Sequence, residues 1–219
     1  MKTLQKFGGF AALYMAISHL IGIVIFLVIL DYLNITDPAQ KMALNVDKQT
    51  LIFSTNLLMY VFFGFALIIV SLALYDRLKA GTPALMQVAA VTGVIWAGSL
   101  IASGMVANAG LTTAAALYAK DPGQAVITYQ GIEAMANGLG NANGEILGGV
   151  WTLLVGLAAL RTSGLPKVLN ILGVTVGGVG ILTIIPVMNA FTGLFGLGQI
   201  VWFVWLGIVL LRTQPRTMA

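Results

Sequence analysis

Residues 51–75 read LIFSTNLLMYVFFGFALIIVSLALY, a run without a charged side chain, set between Lys48 on one side and Asp76-Arg77 on the other. At 1.5 Å per residue a helix of that length reaches about 37 Å, enough to cross the roughly 30 Å hydrocarbon layer of a bilayer with some tilt. Comparable runs lie at about 8–30, 85–107, 141–160, 168–188 and 191–211. The chain is therefore expected to be all-α, a polytopic bundle of six transmembrane helices forming a single domain over residues 1–219. The first run follows Lys2 and Lys6 as a signal peptide would, but it is too long for a signal core and shows no small-residue cleavage site before Asp31, so it reads as a retained span.

Composition agrees. Hydrophobic residues make up 59% and charged residues 8% of the chain, against about half and a quarter in soluble domains. The net charge of +4 sits at the ends of apolar runs instead of in one patch, which excludes a nucleic-acid partner. Without cysteine there is no disulfide framework, thiolate metal site or Cys nucleophile.

The basic residues also give a direction. Lys2, Lys6, Arg77, Lys79, Arg161, Lys167, Arg212 and Arg216 fall in the amino terminus, the second and fourth connections and the tail, which is eight of the 11. Lys41, Lys48 and Lys120 occupy the other side. By the positive-inside rule both termini are cytoplasmic. The inner connections carry Gly81 with Pro83 and Gly164 with Pro166, so their flanking helices form antiparallel hairpins. The first outer connection contains the sequon Asn34-Ile35-Thr36.

In the third connection Asp121-Pro122 reads as an N-cap followed by a first-turn proline, and a helical pattern then runs towards Leu160. Unbroken, that helix would be about 58 Å long, nearly twice the hydrocarbon thickness. The break is expected in Asn137–Gly144, which is rich in glycine and asparagine.

Gly140, Gly144, Gly148, Thr152 and Gly156 recur every four residues, and span five offers Gly173 and Gly177. Such stripes let helix backbones approach closely, here helices four and five. Beside the first stripe runs Glu133, Asn137, Asn141 and Glu145. Carboxylates near hydrocarbon face a cavity or a partner, or sit at a helix N-terminus. Counted from the inner end of each span, His19 lies about 17 Å deep, Ser99 about 21, Glu145 about 22, Ser103 about 27 and Asn56 about 29 Å. These depths outline a polar vestibule opening outward, so the candidate ligand-binding or proton-relay residues are His19, Glu145, Asn141, Ser99, Ser103 and Asn56. Trp96, Trp151 and Trp202 fall near mid-membrane by the same count, away from the interfacial belt. They are candidates for an aromatic pocket or for core packing with each indole N–H satisfied.

The residues 144–157, GEILGGVWTLLVGL, with Arg161-Thr-Ser-Gly-Leu-Pro-Lys167 and Leu172-Gly173, resemble a family of bacterial six-helix membrane proteins filed as domain of unknown function four-three-eight-six. The resemblance implies six spans and a bacterial inner membrane, and carries no activity or site residue with it.

No metalloprotease, nucleophile-elbow or phosphate-loop motif is present, one histidine excludes bis-histidine haem, and no lysine lies inside a span to hold retinal. Neither a catalytic residue nor a metal or other cofactor is expected. The reading is a non-enzymatic membrane protein, either an accessory subunit or a binder of a small hydrophobic ligand or lipid. Its partners would be the lipid bilayer and a membrane protein or second copy of the chain. The alternative is a small proton-coupled transporter using Glu145 and His19, with the Asn137–Gly144 break and Pro186 forming discontinuous helices.

Overall fold

The computed structural model describes residues 2–140 and 145–213, and every regular element among them is helical. Helix α1, Lys2–Ile23, widens into a π-helical stretch at Val24–Ile29. After a 3₁₀ turn at Tyr32–Asn34 come α2, Pro38–Asp47, and α3, Gln49–Asn56, which passes through a second π stretch at Leu57–Phe62 into α4, Phe63–Leu78. Then follow α5, Pro83–Tyr118, α6, Pro122–Leu139, α7, Ile146–Thr162, and α8, Lys167–Leu182, before a 3₁₀ segment, Pro186–Phe191, leads into α9, Thr192–Arg212.

One local device starts both α2 and α6. Asp37 and Asp121 lie in extended backbone, each followed by proline, and their carboxylates accept from Ala39 N at 3.1 Å and Gln124 N at 2.9 Å. Proline has no N–H to lose in a first turn, and the aspartate satisfies one of the orphan donors there.

Four helical runs are long and apolar enough to cross a membrane: Thr3–Ile29, Gln49–Leu78, Pro83–Tyr118 and Pro186–Arg212, with mean hydropathy 2.5, 2.7, 1.8 and 2.2. Large apolar side chains face outward along them, as with Val28 and Leu197, while Gln199, Ser71 and Asn108 are buried. That inside-out polarity suits hydrocarbon surroundings. Threonines 55, 92, 112, 113 and 152 each donate to the carbonyl four residues back, so their hydroxyls need no outside partner.

The other two runs expected from the sequence are shorter. Helix α7 has 17 residues and α8 has 16, about 26 and 24 Å, a turn or so below the hydrocarbon thickness. The break falls where glycine and asparagine concentrate: α6 closes on Gly140, whose N–H reaches Ala136 O, and α7 begins only at Ile146. Residues 141–144 lie outside the described residues. Helix α8 stops at Leu182 instead of running to Met188, because Pro186 drives Ile185 into extended backbone (ψ 120°) and Thr183 Oγ1 turns back to Gly180 O at 2.6 Å. Helix α5 overruns its expected end at Ala107 by 11 residues, carried through the Ala114-Ala115-Ala116 run.

The chain divides into two compact units. The first comprises the described residues of Met1–Ile17, Gly64–Gly98 and Asn143–Ala219. Its centre is an aromatic ladder, Trp96 to Trp151 at 5.8 Å, Trp151 to Trp202 at 5.6 Å and Trp202 to Phe203 at 5.5 Å between ring centroids. Helices α7 and α8 meet backbone to backbone: a Cβ on Gly149 would lie 2.7 Å from Ile181 N, and one on Gly156 2.8 Å from Val174 N. Arg77 gathers three segments, donating to Gly164 O (2.9 Å), Gln5 Oε1 (3.2 Å) and Thr213 Oγ1 (2.8 Å), while Gln5 donates onward to Ala73 O (2.8 Å).

The second unit comprises the described residues of Ser18–Phe63 and Ser99–Ala142. Its small core is Leu30, Ile52 and Leu111, covered by Phe26, Leu44, Tyr32 and Tyr129.

Candidate functional site

The second unit holds a cavity of about 190 Å³. Each of its walls has a local origin. The two π stretches contribute Phe26 and Tyr60; a π turn carries an extra residue that re-aims the side chains around it and recurs at functional sites. Helix α3 adds Ile52 and Asn56, α5 adds Ser103 and Ala107 one turn apart, and α6 adds Tyr129, Glu133 and Asn137 on a single face together with Ile132 and Ala136.

Hydrogen bonds hold these walls apart. Asn56 Nδ2 donates to Asn108 Oδ1 at 3.0 Å, and Asn108 Nδ2 donates to Phe53 O at 3.1 Å, an amide clamp between α3 and α5. Carbonyls in the last turn of α6 accept from α5: Ser99 Oγ donates to Leu139 O, and Ser103 Oγ adds a second bond, at 2.7 Å, to Ala136 O, which also accepts from Gly140 N.

The polar end centres on Tyr32. Its hydroxyl accepts from Asn45 Nδ2 (3.2 Å), donates to Glu133 Oε1 (3.4 Å) and lies 3.4 Å from Tyr129 OH. A phenol donates once, so with Tyr32 committed to Glu133 the proton between the tyrosines comes from Tyr129. Glu133 Oε1 also meets Lys41 Nζ at 2.7 Å, and that ammonium stands 4.5 Å from the centroid of the Tyr32 ring. Burial pushes both phenols above the ordinary tyrosine range, reinforced at Tyr32 by Tyr129 and the Glu133 charge, so both stay protonated as donors.

Of the residues singled out from the sequence, Asn56 and Ser103 line this cavity and Ser99 lies one turn along α5 from Ser103. His19 belongs to the same unit but packs edge-on against Phe63, at 5.0 Å between centroids, and is not a wall of the cavity. Glu145 belongs to the first unit, where its N–H donates to Thr183 Oγ1 at 2.8 Å and its carbonyl accepts from Gly149 N at 2.7 Å, so the start of α7 is tied to the end of α8. Asn141 and Gly144 lie outside the described residues. His19 and Glu145 thus belong to different units, and the cavity is lined by residues of the second unit. Trp96, Trp151 and Trp202 come together in the core of the first unit; the Nε1 atoms of Trp151 and Trp202 are buried without an acceptor, the former beside Gly93 and the latter 2.8 Å from where a Gly173 Cβ would stand. Gly148 faces Trp96 and Phe195, Gly140 faces Ser103 and Tyr60, and Gly177 meets the α7 backbone at Gly149 and Leu153.

Sequence reading missed Tyr32, Lys41, Asn45, Tyr60 and Tyr129 as site residues. One signal was available: Tyr129 precedes Glu133 by one turn and Asn137 by two, so the polar stripe of α6 begins with a phenol. Tyr32 and Tyr60 come from a 3₁₀ turn and a π stretch, whose side-chain direction follows from neither a 3.6-residue nor a two-residue period, and Lys41 and Asn45 share a face of α2, a short helix in a connection.

No curated protein and no solved structure matches this chain. A family model described as "Domain of unknown function (DUF4386)" covers residues 9–209, nearly the whole helical assembly, and the chain belongs to that family.

Proposed function

We propose that this is a six-span protein of a bacterial inner membrane, with both termini cytoplasmic, that performs no catalysis and holds a small ligand with an apolar body in the cavity of its second unit. The Lys and Arg pattern supports the topology. Arg161 and Lys167, flanking the short α7 and α8, can snorkel to let those helices complete the set of six. The same pattern assigns the two large connections, which supply Tyr32, Lys41, Tyr129 and Glu133, to the extracytoplasmic side.

One observation carries the ligand reading: a 190 Å³ cavity whose walls combine aromatic and aliphatic side chains with a carboxylate, two amides, a serine hydroxyl and three phenols. Ligand sites have this mixture of apolar wall and few converging polar groups. An apolar void of about 150 Å³ admits benzene, so this one suits a ligand of comparable bulk or part of a larger one. Its walls do not include His19 or Glu145, so the reading does not use a proton relay between them.

Native mass spectrometry of the protein purified in mild detergent tests it. The wild type should carry a stoichiometric small molecule or lipid, and Ala107→Trp, which fills the cavity, should lose it. A wild type bare of small molecules, or one whose ligand survives Ala107→Trp, refutes the proposal; a stoichiometric protein in its place makes the chain an accessory subunit. Reporters on the two termini should both be cytoplasmic.

A further inference from the structure

We propose that Glu133 and Tyr32, which line the polar end of the cavity, form a primary-ammonium site, and that in the resting protein the ammonium seated on these two residues is that of the chain's own Lys41. The inference rests on the ligand reading above and names the chemistry of that ligand. Three elements meet at one point: the Glu133 carboxylate, 2.7 Å from the Lys41 nitrogen; the face of Tyr32, 4.5 Å away at its centroid; and Tyr129, whose hydroxyl lies 3.4 Å from that of Tyr32. A carboxylate to accept N–H with an aromatic face to stabilise the positive charge is how proteins recognise amines. Lys41 demonstrates that an ammonium fits there.

Lys41 is also suited to leave. Its side chain and that of Glu133 are 25% and 22% exposed, so the pair is neither sealed nor strongly held. Its ammonium is a strongly hydrated charge on a flexible four-carbon stem, which can withdraw to water without unfolding α2. An incoming alkylammonium would take the Glu133 contact and place its carbon chain against Phe26, Ile52 and Ile132, where Lys41 has no atoms to offer. The hydrogen bond to Glu133 favours a primary ammonium over a quaternary one, which lacks N–H. The group can arrive on a free alkylamine or on an ethanolamine lipid headgroup.

A tethered competitor lowers apparent affinity by the fraction of time the site is free. With Lys41 seated about nine-tenths of the time, removing it tightens binding about tenfold. The test is calorimetric titration of butylammonium into the detergent-solubilised full chain. Butylammonium should bind, tetramethylammonium at least tenfold more weakly; Lys41→Met and Lys41→Gln should both tighten butylammonium about tenfold, and Glu133→Gln in the Lys41→Met background should reverse that gain. Reconstitution with phosphatidylethanolamine against phosphatidylglycerol separates the sources: competition with butylammonium by the first lipid alone assigns the headgroup, and no competition assigns a free amine. Equal affinity in wild type and both Lys41 variants, indifference to Glu133→Gln, or no binding of butylammonium at all overturns the proposal. If Ala107→Trp still expels a co-purified molecule in that event, the ligand reading stands and only the ammonium assignment falls.

Discussion

The two units are held together by different means. In the first, glycines bring backbones into contact, as at Gly149 and Gly177, and an aromatic ladder of Trp96, Trp151, Trp202 and Phe203 fills what remains. In the second, side-chain hydrogen bonds join the helices, Asn56 to Asn108 and Ser103 to Ala136 O, and two π stretches interrupt the regular ladder. Backbone contact leaves no void, whereas polar side chains a few ångströms long hold helices apart and leave room between them. The 190 Å³ cavity lies in the second unit, among helices that meet through these side chains.

The contrast can be broken most severely in the first unit. A Cβ at Gly177 would meet Leu153 N and lie 2.7 Å from Gly149 O and 2.8 Å from Leu153 Cα, all backbone atoms that cannot rotate away. Gly177→Ala should cost about 3 kcal/mol, the upper end of overpacking, whereas Gly178→Ala, with open space around it, should be neutral or gain up to about 1 kcal/mol from helix propensity. Denaturant unfolding followed by tryptophan fluorescence reads both, since all four tryptophans lie in this unit. Equal effects at the two glycines would remove backbone contact as the organising feature. Next comes Arg77→Ala, which strands Gln5 Oε1 and Gly164 O and should cost about 2.5 kcal/mol by the same measurement. Arg77→Lys should recover only part, because one ammonium cannot reproduce the guanidinium fork.

These features differed in how far they could be read from the chain. Apolar runs announce long helices because burial in hydrocarbon is a property of composition, and Asp121-Pro122 announced a helix start because capping is local. Close approach along α7 and α8 was legible as glycine spacing, yet Gly149, adjacent to the expected stripe, makes the contact with α8 while Gly148 faces Trp96. A four-residue repeat drifts around a helix of 3.6 residues per turn, so spacing alone does not fix the facing position. His19 and Glu145 drew attention as rare ionisable groups at depth, but depth along a helix says nothing of azimuth, and they belong to different units. The Tyr32 cluster depends on how a connection folds back over α6, which no periodic signal encodes.

The second unit is sharpened by smaller effects. Asn56→Ala leaves Asn108 Oδ1 buried without its donor and should cost about 2 kcal/mol, whereas the double change Asn56→Leu with Asn108→Leu should cost less, since two apolar groups strand no polar atom. Hydrogen exchange resolved by peptide, read over 49–62 and 99–118, separates the two; a double variant that opens more than the single one would mean the amides act by shape and not by pairing.

Smallest is the alkaline response of the tyrosine cluster. Because burial holds the Tyr32 and Tyr129 phenols above their ordinary value near 10, the unfolded chain releases these protons first as pH rises. The unfolded state then binds fewer protons than the native one, so stability is intact below pH 10 and declines above it, by about 1 kcal/mol between pH 10 and 11 for Tyr32, whose shift is large, with Tyr129 adding to the decline in the same direction. Tyr32→Phe removes one such group and should flatten the decline by that amount, read as the slope of unfolding free energy against pH, while lowering stability near neutrality through the loss of the bonds to Asn45 and Glu133. An unchanged slope would place the Tyr32 hydroxyl in water, and with it the ring that the Lys41 ammonium faces. The same substitution therefore tests the second unit's polar packing and the aromatic half of the ammonium site, because burial raises the phenol only if the ring beneath it is enclosed.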